Sequence, residues 1–231
     1  MGAGLYGKLP AKRDFVAFNT PRAFLELWEP WLQAGVATSR QILGQGWRKA
    51  YLSAPIWRFW LGRDFCGETI LGAFMPSIDG VGRYFPLTIF TGEGVGALPP
   101  PELEPNKAWF DAAETILLDA LHPERDFESV AAAVAELATP AQSPTETAVG
   151  GIALLSNGAI LVRDFGDDFG LIFRAARRFG HRQTFAGQSF WWTIGGEDFQ
   201  LTALLETGLP GPERFAEMLT GSFDRSLAVP A

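Results

Sequence analysis

The chain has 231 residues, 47% of them hydrophobic, and a formal net charge of −7. A chain of this size and composition can form a globular core without a disulfide or metal staple. Because it is acidic and has no run of Lys and Arg, the sequence disfavours nucleic acid as a partner. Cys66 is the single cysteine, which excludes an internal disulfide and a cysteine-based zinc site.

The N-terminal sequence does not resemble a secretory signal, because no basic segment precedes a long apolar stretch. No apolar run approaches the ~20 residues needed to span a bilayer. We therefore expect a soluble cytoplasmic protein without a transmembrane segment.

The first half of the chain is predicted to contain short strands and one long helix. Thr20 and Pro21 are typical of a helix start, with a capping hydroxyl and a proline at the first helical position. Pro30 should kink or split this helix. Its apolar face is predicted to carry Phe24, Trp28, Trp31, Leu32, Val36 and Leu43. The strands are expected at 4–9, 15–18, 56–61, 69–75 and 85–90.

The second half begins after a Gly- and Pro-rich stretch, 92–105, which predicts a long surface connection. Asn106 and Asp126 are expected to cap two helices, and a polar, Pro-containing linker follows at 139–147. Asn157-Gly158 between two apolar runs indicates a hairpin. The last predicted elements are strands at 190–194 and 201–205 and a helix at 212–219.

Strands outnumber the crossover helices that a doubly wound sheet would need. We therefore expect an α/β fold with an α+β tendency, in which helices cover the faces of a mixed, largely antiparallel sheet to form a layered sandwich. A single domain, 1–231, is preferred. Two lobes, 1–91 and 106–231, joined by the Pro/Gly-rich connection are the alternative.

Short matches to catalytic motifs fail on their context. Gly2, Gly4 and Gly7 spell a dinucleotide fingerprint, but only Met1 precedes them, so tight packing at a strand start is favoured. We predict no catalytic, cofactor-binding or metal-binding residues. The alternative is a small enzyme with a cryptic site, in which a cation or a thiol would use Asp164, Asp167, Asp168 or Cys66.

Residues 76–87 are unusually detailed for a turn: Pro-Ser-Ile-Asp-Gly-Val-Gly-Arg-Tyr-Phe-Pro-Leu. Gly80 and Gly82 permit backbone angles that other residues resist. Asp79 and Arg83 are close enough in sequence to pin the loop with a charge-assisted hydrogen bond. The segment therefore predicts a shaped loop with its own ion pair.

Three segments, in this order and spacing, resemble the TagF family, accessory proteins of bacterial type VI secretion systems. The first is 4–10, Gly-Leu-Tyr-Gly-Lys-Leu-Pro, followed by Arg-Asp-Phe-Val at 13–16. The second is 76–87. The third is Ser-Phe-Trp-Trp-Thr at 189–193, with Gly-Leu-Pro at 208–210. The resemblance covers nearly the whole chain, as a single TagF-like domain.

The resemblance implies a non-catalytic cytoplasmic regulator, usually a post-translational repressor of secretion-system assembly. It also implies an FHA-domain scaffold protein of that system as the partner. A purely structural adaptor is the alternative, in which case deletion would block assembly rather than release it. The sequence leaves open whether the protein forms homo-oligomers.

Seven residues in the matched segments are candidates for a structural clasp or a partner-binding surface. Trp191 and Trp192 are adjacent, so in a strand they face opposite sides. One is expected in the core, and the other could anchor an interface. The remaining candidates are polar residues in glycine-rich, apolar surroundings: Lys8, Arg13, Asp14, Asp79 and Arg83.

Overall fold

The computed structural model describes residues 2–94, 96–122, 124–141, 151–163, 168–196 and 199–223. The strands are β1 Gly4–Lys8, β2 Phe15–Phe18, β3 Trp57–Leu61, β4 Ile70–Met75, β5 Leu87–Gly92, β6 Ile152–Leu154, β7 Ile160–Val162, β8 Gln188–Thr193 and β9 Thr202–Thr207. The helices are α1 Arg22–Leu43, α2 Trp47–Ser53, α3 Lys107–Asp119, α4 Phe127–Ala135, α5 Phe169–Phe179, α6 His181–Thr184 and α7 Pro212–Thr220, with a 3-10 turn at Gly44–Gly46.

Seven of these strands form one sheet in the order β2-β1-β5-β4-β3-β8-β9. Every pairing in it is antiparallel. Strands β6 and β7 form a separate hairpin. With helices packed against the sheet, the structure confirms the predicted fold class. The large sheet draws strands from both sides of the 92–105 connection.

The core on one face of the sheet is aromatic and lies under α1, α2 and α7. Along α1, Phe24, Trp28 and Trp31 recur at helical spacing and are buried, which confirms the predicted apolar face at these positions. The Trp28 ring packs 4.3 Å from the Phe59 ring of β3, between ring centroids. Such rings supply large apolar area in a fixed geometry.

The opposite face of the sheet carries a second core under α3 and α4. Phe110 and Leu117 of α3 and Val134 of α4 are almost completely buried. Residues at this spacing on short helices form the narrow apolar stripe that a sheet face covers. The two cores give the molecule its layered arrangement, helix on sheet on helix.

At two predicted helix starts the expected capping bond is absent. Thr20 does not cap α1, because its hydroxyl donates to the Leu5 and Phe18 carbonyls at 2.9 and 3.1 Å. Asn106 precedes α3 in a left-handed conformation without a capping bond, and its Oδ1 accepts from the Ala141 amide at 2.7 Å. Both side chains bind other segments instead. Asp126 does cap α4, accepting from the Ser129 amide at 2.8 Å.

Other local predictions have mixed outcomes. Helix α1 is not split at Pro30. The Asn157-Gly158 hairpin is confirmed, with Gly158 at φ 84° and β6 paired to β7. The 92–105 connection is not all surface, since Ala97 and Leu98 are buried and Leu98 accepts a hydrogen bond from Trp60. Of the helices that the structure describes, none is long and apolar enough to cross a bilayer.

Candidate functional site

The sheet register places Lys8 beside the loop formed by residues 76–86. Strand β1 ends at Lys8 and pairs with β5, whose first residue, Leu87, directly follows the loop. Gly7 makes this approach possible: it has φ 138°, and a Cβ there would lie 2.0 Å from the Pro86 carbonyl oxygen. Only glycine fits so close to another backbone. The two sequence segments therefore meet because of strand pairing.

Asp79 lies where β1 and this loop meet, and its side chain is completely buried. Its Oδ2 accepts from the Lys8 ammonium at 2.8 Å and from Arg83 Nε at 2.6 Å. Its Oδ1 accepts from the Val81 and Arg83 amides at 3.1 and 2.8 Å. All four donors converge on one carboxylate, so its charge is fully compensated. We call Lys8, Asp79 and Arg83 the clasp.

The surroundings of Asp79 shift its pKa in two directions. Burial would raise the pKa, because a charged carboxylate is poorly solvated inside a protein. Hydrogen bonds from Lys8 and Arg83 outweigh burial and hold the pKa of Asp79 well below its usual range. Asp79 is therefore an ionised structural acceptor, without a proton to give in general acid catalysis.

Arg83 extends the clasp toward the surface. Its side chain is half exposed, and Nη2 donates to the Arg13 carbonyl and lies 3.5 Å from Asp14 Oδ1. The Asp14 carboxylate is 96% exposed, so this pair is screened by water. The structure thus brings all five polar candidates into one neighbourhood, with Arg13 contributing its backbone carbonyl.

The loop around the clasp is also fixed by hydrogen bonds to neighbouring segments. The Gly80 amide donates to the Lys12 carbonyl at 2.7 Å, and Ser77 Oγ donates to the Lys8 carbonyl at 2.7 Å. Tyr51 Oη donates to the Ser77 carbonyl at 3.2 Å. These bonds tie the loop to the β1–β2 turn and to α2, so contacts within the chain set its shape.

Trp191 and Trp192 point to opposite faces of β8. Trp191 is completely buried and stacks with Trp28 at 5.9 Å between centroids. Its indole Nε1 donates to Ser189 Oγ at 2.8 Å, and Ser189 Oγ donates to the Gly208 carbonyl at 2.6 Å. Trp31 Nε1 donates to the Pro210 carbonyl at 2.8 Å. The 189–193 and 208–210 segments are therefore joined by hydrogen bonds around the core tryptophans.

Trp192 is half-buried on the α3 face, with its ring 5.0 Å from that of Phe110. Beside it, a groove of about 520 Å³ runs along β8 and β9. Its apolar lining includes Ile194, Leu201 and Leu205, which are 63, 77 and 55% exposed. We call this the Trp192 groove. Strand β9 is the last strand of the sheet, so the groove reaches an edge.

Arg58 is a residue near this groove that sequence reasoning left unassigned. It is buried on β3, opposite Trp192 in the sheet register. Its Nε donates to Glu114 at 2.5 Å and Nη2 to Asp111 at 3.2 Å. The guanidinium therefore fastens α3 to the sheet. In the sequence, Arg58 is the single charged residue of the apolar run Ile-Trp-Arg-Phe-Trp-Leu. Because a buried arginine requires acidic partners, this pattern indicates an ion pair at Arg58.

Comparison with known proteins identifies the family. The family profile described as TagF N-terminal domain, type VI secretion system-associated, matches residues 4–137. The chain belongs to the TagF family. A crystal structure of PA0076 from Pseudomonas aeruginosa PAO1 is 33% identical, with a TM-score of 0.78 over 100% of this chain and 99% of that one. No protein with a curated description matches significantly.

The profile and the solved structure cover different parts of the TagF resemblance. The segments at 4–16 and 76–87 lie inside the profile match, and both contribute to the clasp. The segment at 189–193 lies beyond it but within the likeness to PA0076. The recognisable segments of this TagF-family chain are therefore places where distant parts of the sequence are fastened together.

Of the residues in the alternative, enzymatic hypothesis, Cys66 and Asp168 lie in the described part of this TagF-family chain. Burial raises the pKa of the Cys66 thiol to about 11, which disfavours the reactive thiolate. Asp168 caps α5, accepting from the Leu171 amide at 3.0 Å. Asp164 and Asp167 lie outside the described residues. Within the described ranges, no group of three or more His, Cys, Asp or Glu could hold a metal.

Proposed function

We propose that this protein is a non-catalytic, cytoplasmic regulator of a bacterial type VI secretion system. In this proposal it binds an FHA-domain scaffold component of the system and represses assembly after translation. Membership of the TagF family, with likeness to PA0076 over the whole chain, is the observation that carries the association with type VI secretion. The repressor role and the FHA-domain partner come from the family resemblance.

The Trp192 groove supports a role in protein binding. Leu201, which directly precedes β9, and Ala203 and Leu205 of β9 are exposed in alternation and share a face with Trp192. An apolar stripe beside a half-buried tryptophan resembles the centre of a protein interface, where aromatic anchors contribute most of the affinity. We assign the FHA-domain component to this groove because the edge strand also offers backbone groups to a partner.

A deletion strain tests the proposal directly. Loss of a repressor should increase secretion, and the wild-type chain should restore repression. Leu201→Asp should fail to restore it, because a buried charge in the interface is costly. Ile42→Asp is the matched control, since Ile42 is a 56% exposed aliphatic residue on α1, away from the groove.

Affinity capture with the same variants adds the partner's identity. The wild-type chain and Ile42→Asp should recover an FHA-domain protein of the secretion system, and Leu201→Asp should recover much less. If deletion instead abolished secretion, the chain would be an assembly adaptor. Unchanged secretion with no recovered secretion component would refute the proposal altogether.

A further inference from the structure

A second cavity, of about 700 Å³, lies between the α1–α2 corner and residues 82–84, and it is open to solvent. Three arginines and no acidic residue line it. In a chain with a net charge of −7, this is a local concentration of positive charge. We call it the arginine pocket. Its lining residues are Arg40, Gly44, Gln45, Trp47, Arg48, Gly82, Arg83 and Tyr84.

Aromatic rings hold Arg40 in this pocket. Its guanidinium carbon lies 4.2 Å from the centroid of the Trp47 ring and 5.8 Å from that of Tyr84. The Trp47 ring is buried and packs edge-on against Tyr84 at 5.1 Å. A guanidinium stacked on a ring still directs its N–H donors outward in its own plane. Arg40 is therefore oriented with its donors available.

The three arginines differ in whether an acidic residue already neutralises their positive charge. Arg83 is paired with Asp79, and the clasp fixes its position at the pocket wall. Arg40 and Arg48 are exposed and form no ion pair with any residue that the structure describes. The pocket thus presents two uncompensated guanidinium groups beside a third whose charge is shared.

We propose that the arginine pocket binds a phosphate group, either free inorganic phosphate or the phosphate of a phosphorylated side chain. Such a group carries a charge of about −1.5 to −2 near pH 7 and three acceptor oxygens, which match two uncompensated guanidinium forks. A single carboxylate could pair with only one of these two guanidinium groups. The site does not depend on the proposed function, because it lies on the α1 face of the sheet and the Trp192 groove lies on the α3 face.

Two sources could supply this chemistry, free inorganic phosphate or a phosphorylated side chain of a protein. Fluorescence anisotropy distinguishes them with a labelled peptide that contains one phosphothreonine. Matched peptides carry threonine or glutamate at that position, and inorganic phosphate serves as competitor. We expect saturable binding of the phosphopeptide, displacement by millimolar phosphate, and at least about tenfold weaker binding of the other two peptides.

Substitutions of single arginines test whether the phosphopeptide binds in the arginine pocket. Arg48→Gln removes an exposed donor and should weaken the phosphopeptide about tenfold or more, with Arg40→Gln behaving alike. Arg22→Gln is the matched control, because Arg22 is an exposed arginine at the other end of α1. Circular dichroism and thermal unfolding establish that each variant is folded. Should Arg40→Gln unfold through loss of its aromatic stacking, Arg48→Gln alone decides the test.

Each outcome bears on the proposal. Tighter binding of the phosphopeptide than of phosphate assigns the site to a phosphorylated side chain, and equal binding assigns it to free phosphate. Both results support phosphate recognition. Equal binding of the glutamate peptide would overturn the proposal in favour of an acidic segment. Absence of binding by both the phosphopeptide and millimolar phosphate, or equal affinity of Arg48→Gln and wild type for the phosphopeptide, would also overturn it.

Discussion

Lys8 and Asp79 are 71 positions apart in the sequence, and their Nζ and Oδ2 atoms lie 2.8 Å apart in the interior. Both side chains are nearly inaccessible to water. Neither can be removed without leaving the other charge in surroundings that solvate it poorly. Because Asp79 also binds Arg83, the pair connects the N-terminal strand to the wall of the arginine pocket.

Asp79→Asn should lower the free energy of unfolding by about 3 kcal/mol, because it leaves the Lys8 ammonium buried without a counter-charge. Denaturant unfolding measures the change. Asp14→Asn is the control: Asp14 is 96% exposed, and its loss should cost less than about 1 kcal/mol. Equal effects of the two substitutions would contradict a structural role for the clasp.

The effect of Asp79→Asn should depend on pH. Hydrogen bonds from Lys8 and Arg83 outweigh burial and keep the pKa of folded Asp79 well below its usual range, whereas an unfolded Asp has a pKa of about 3.9. Below that pH the unfolded chain binds the additional proton, so the contribution of Asp79 to stability declines as the pH falls. The stability difference between wild type and variant should therefore shrink from neutral pH to about pH 3. A difference that stayed constant over this range would be inconsistent with the assigned pKa direction.

The adjacent tryptophans should respond differently to truncation. Trp191→Ala opens a cavity in the aromatic core and should cost about 3–5 kcal/mol of stability. Trp192 is half-buried, so Trp192→Ala should cost roughly half as much while weakening partner binding more. Unfolding curves and capture of the FHA-domain component separate the two effects. A larger stability loss for Trp192→Ala would reverse the assignment of core and interface residues.

Arg58→Met should destabilise the chain by about 2–4 kcal/mol, since it leaves the Glu114 and Asp111 carboxylates beside an apolar side chain. Met retains much of the apolar stem, so packing is largely preserved. Arg22→Met is the comparison, because Arg22 forms an exposed pair within α1. Chemical denaturation should show almost no change for that control, and a comparable loss in both variants would argue against a fastening role for Arg58.

Cys66 should be unreactive at neutral pH. Burial raises the pKa of its thiol to about 11, so little thiolate is present. Alkylation by iodoacetamide at pH 8 should be slower than that of a free thiol by about tenfold or more. The rate should increase as the pH approaches the pKa of Cys66. If Cys66 in the folded chain were labelled as fast as free cysteine, the hypothesis of a nucleophilic thiol would be favoured again.

The sequence predicted most strands and the layered fold because strong local signals agreed with the tertiary structure. The spacing of Trp28 and Trp31, the Asn157-Gly158 turn and Pro212 at the start of α7 each specify one local structure. Thr20 and Asn106 do not form the predicted capping bonds, because their side chains bind distant backbone groups. Helix α5 was missed, and its Phe169 and Phe173 remain exposed rather than packing in a core stripe.

The candidate site was only partly predictable for a related reason. The Asp79–Arg83 bond is local and could be anticipated from a spacing of four residues. The sequence indicated Lys8 as a candidate residue but did not indicate its partner. That partner depends on the register of β1 against β5, which places Lys8 beside the loop. The arginine pocket combines Arg40, Arg48 and Arg83 from separate elements, and no sequence pattern indicates that they converge.

Regulation through the Trp192 groove is tested most directly by a titration of the purified chain with the FHA-domain scaffold protein of the same secretion system. Isothermal calorimetry should show saturable binding for wild type and for Ile42→Asp, and at least about tenfold weaker binding for Leu201→Asp. All three chains should unfold at similar temperatures. No binding by wild type, or equal binding by Leu201→Asp, would contradict regulation through the Trp192 groove.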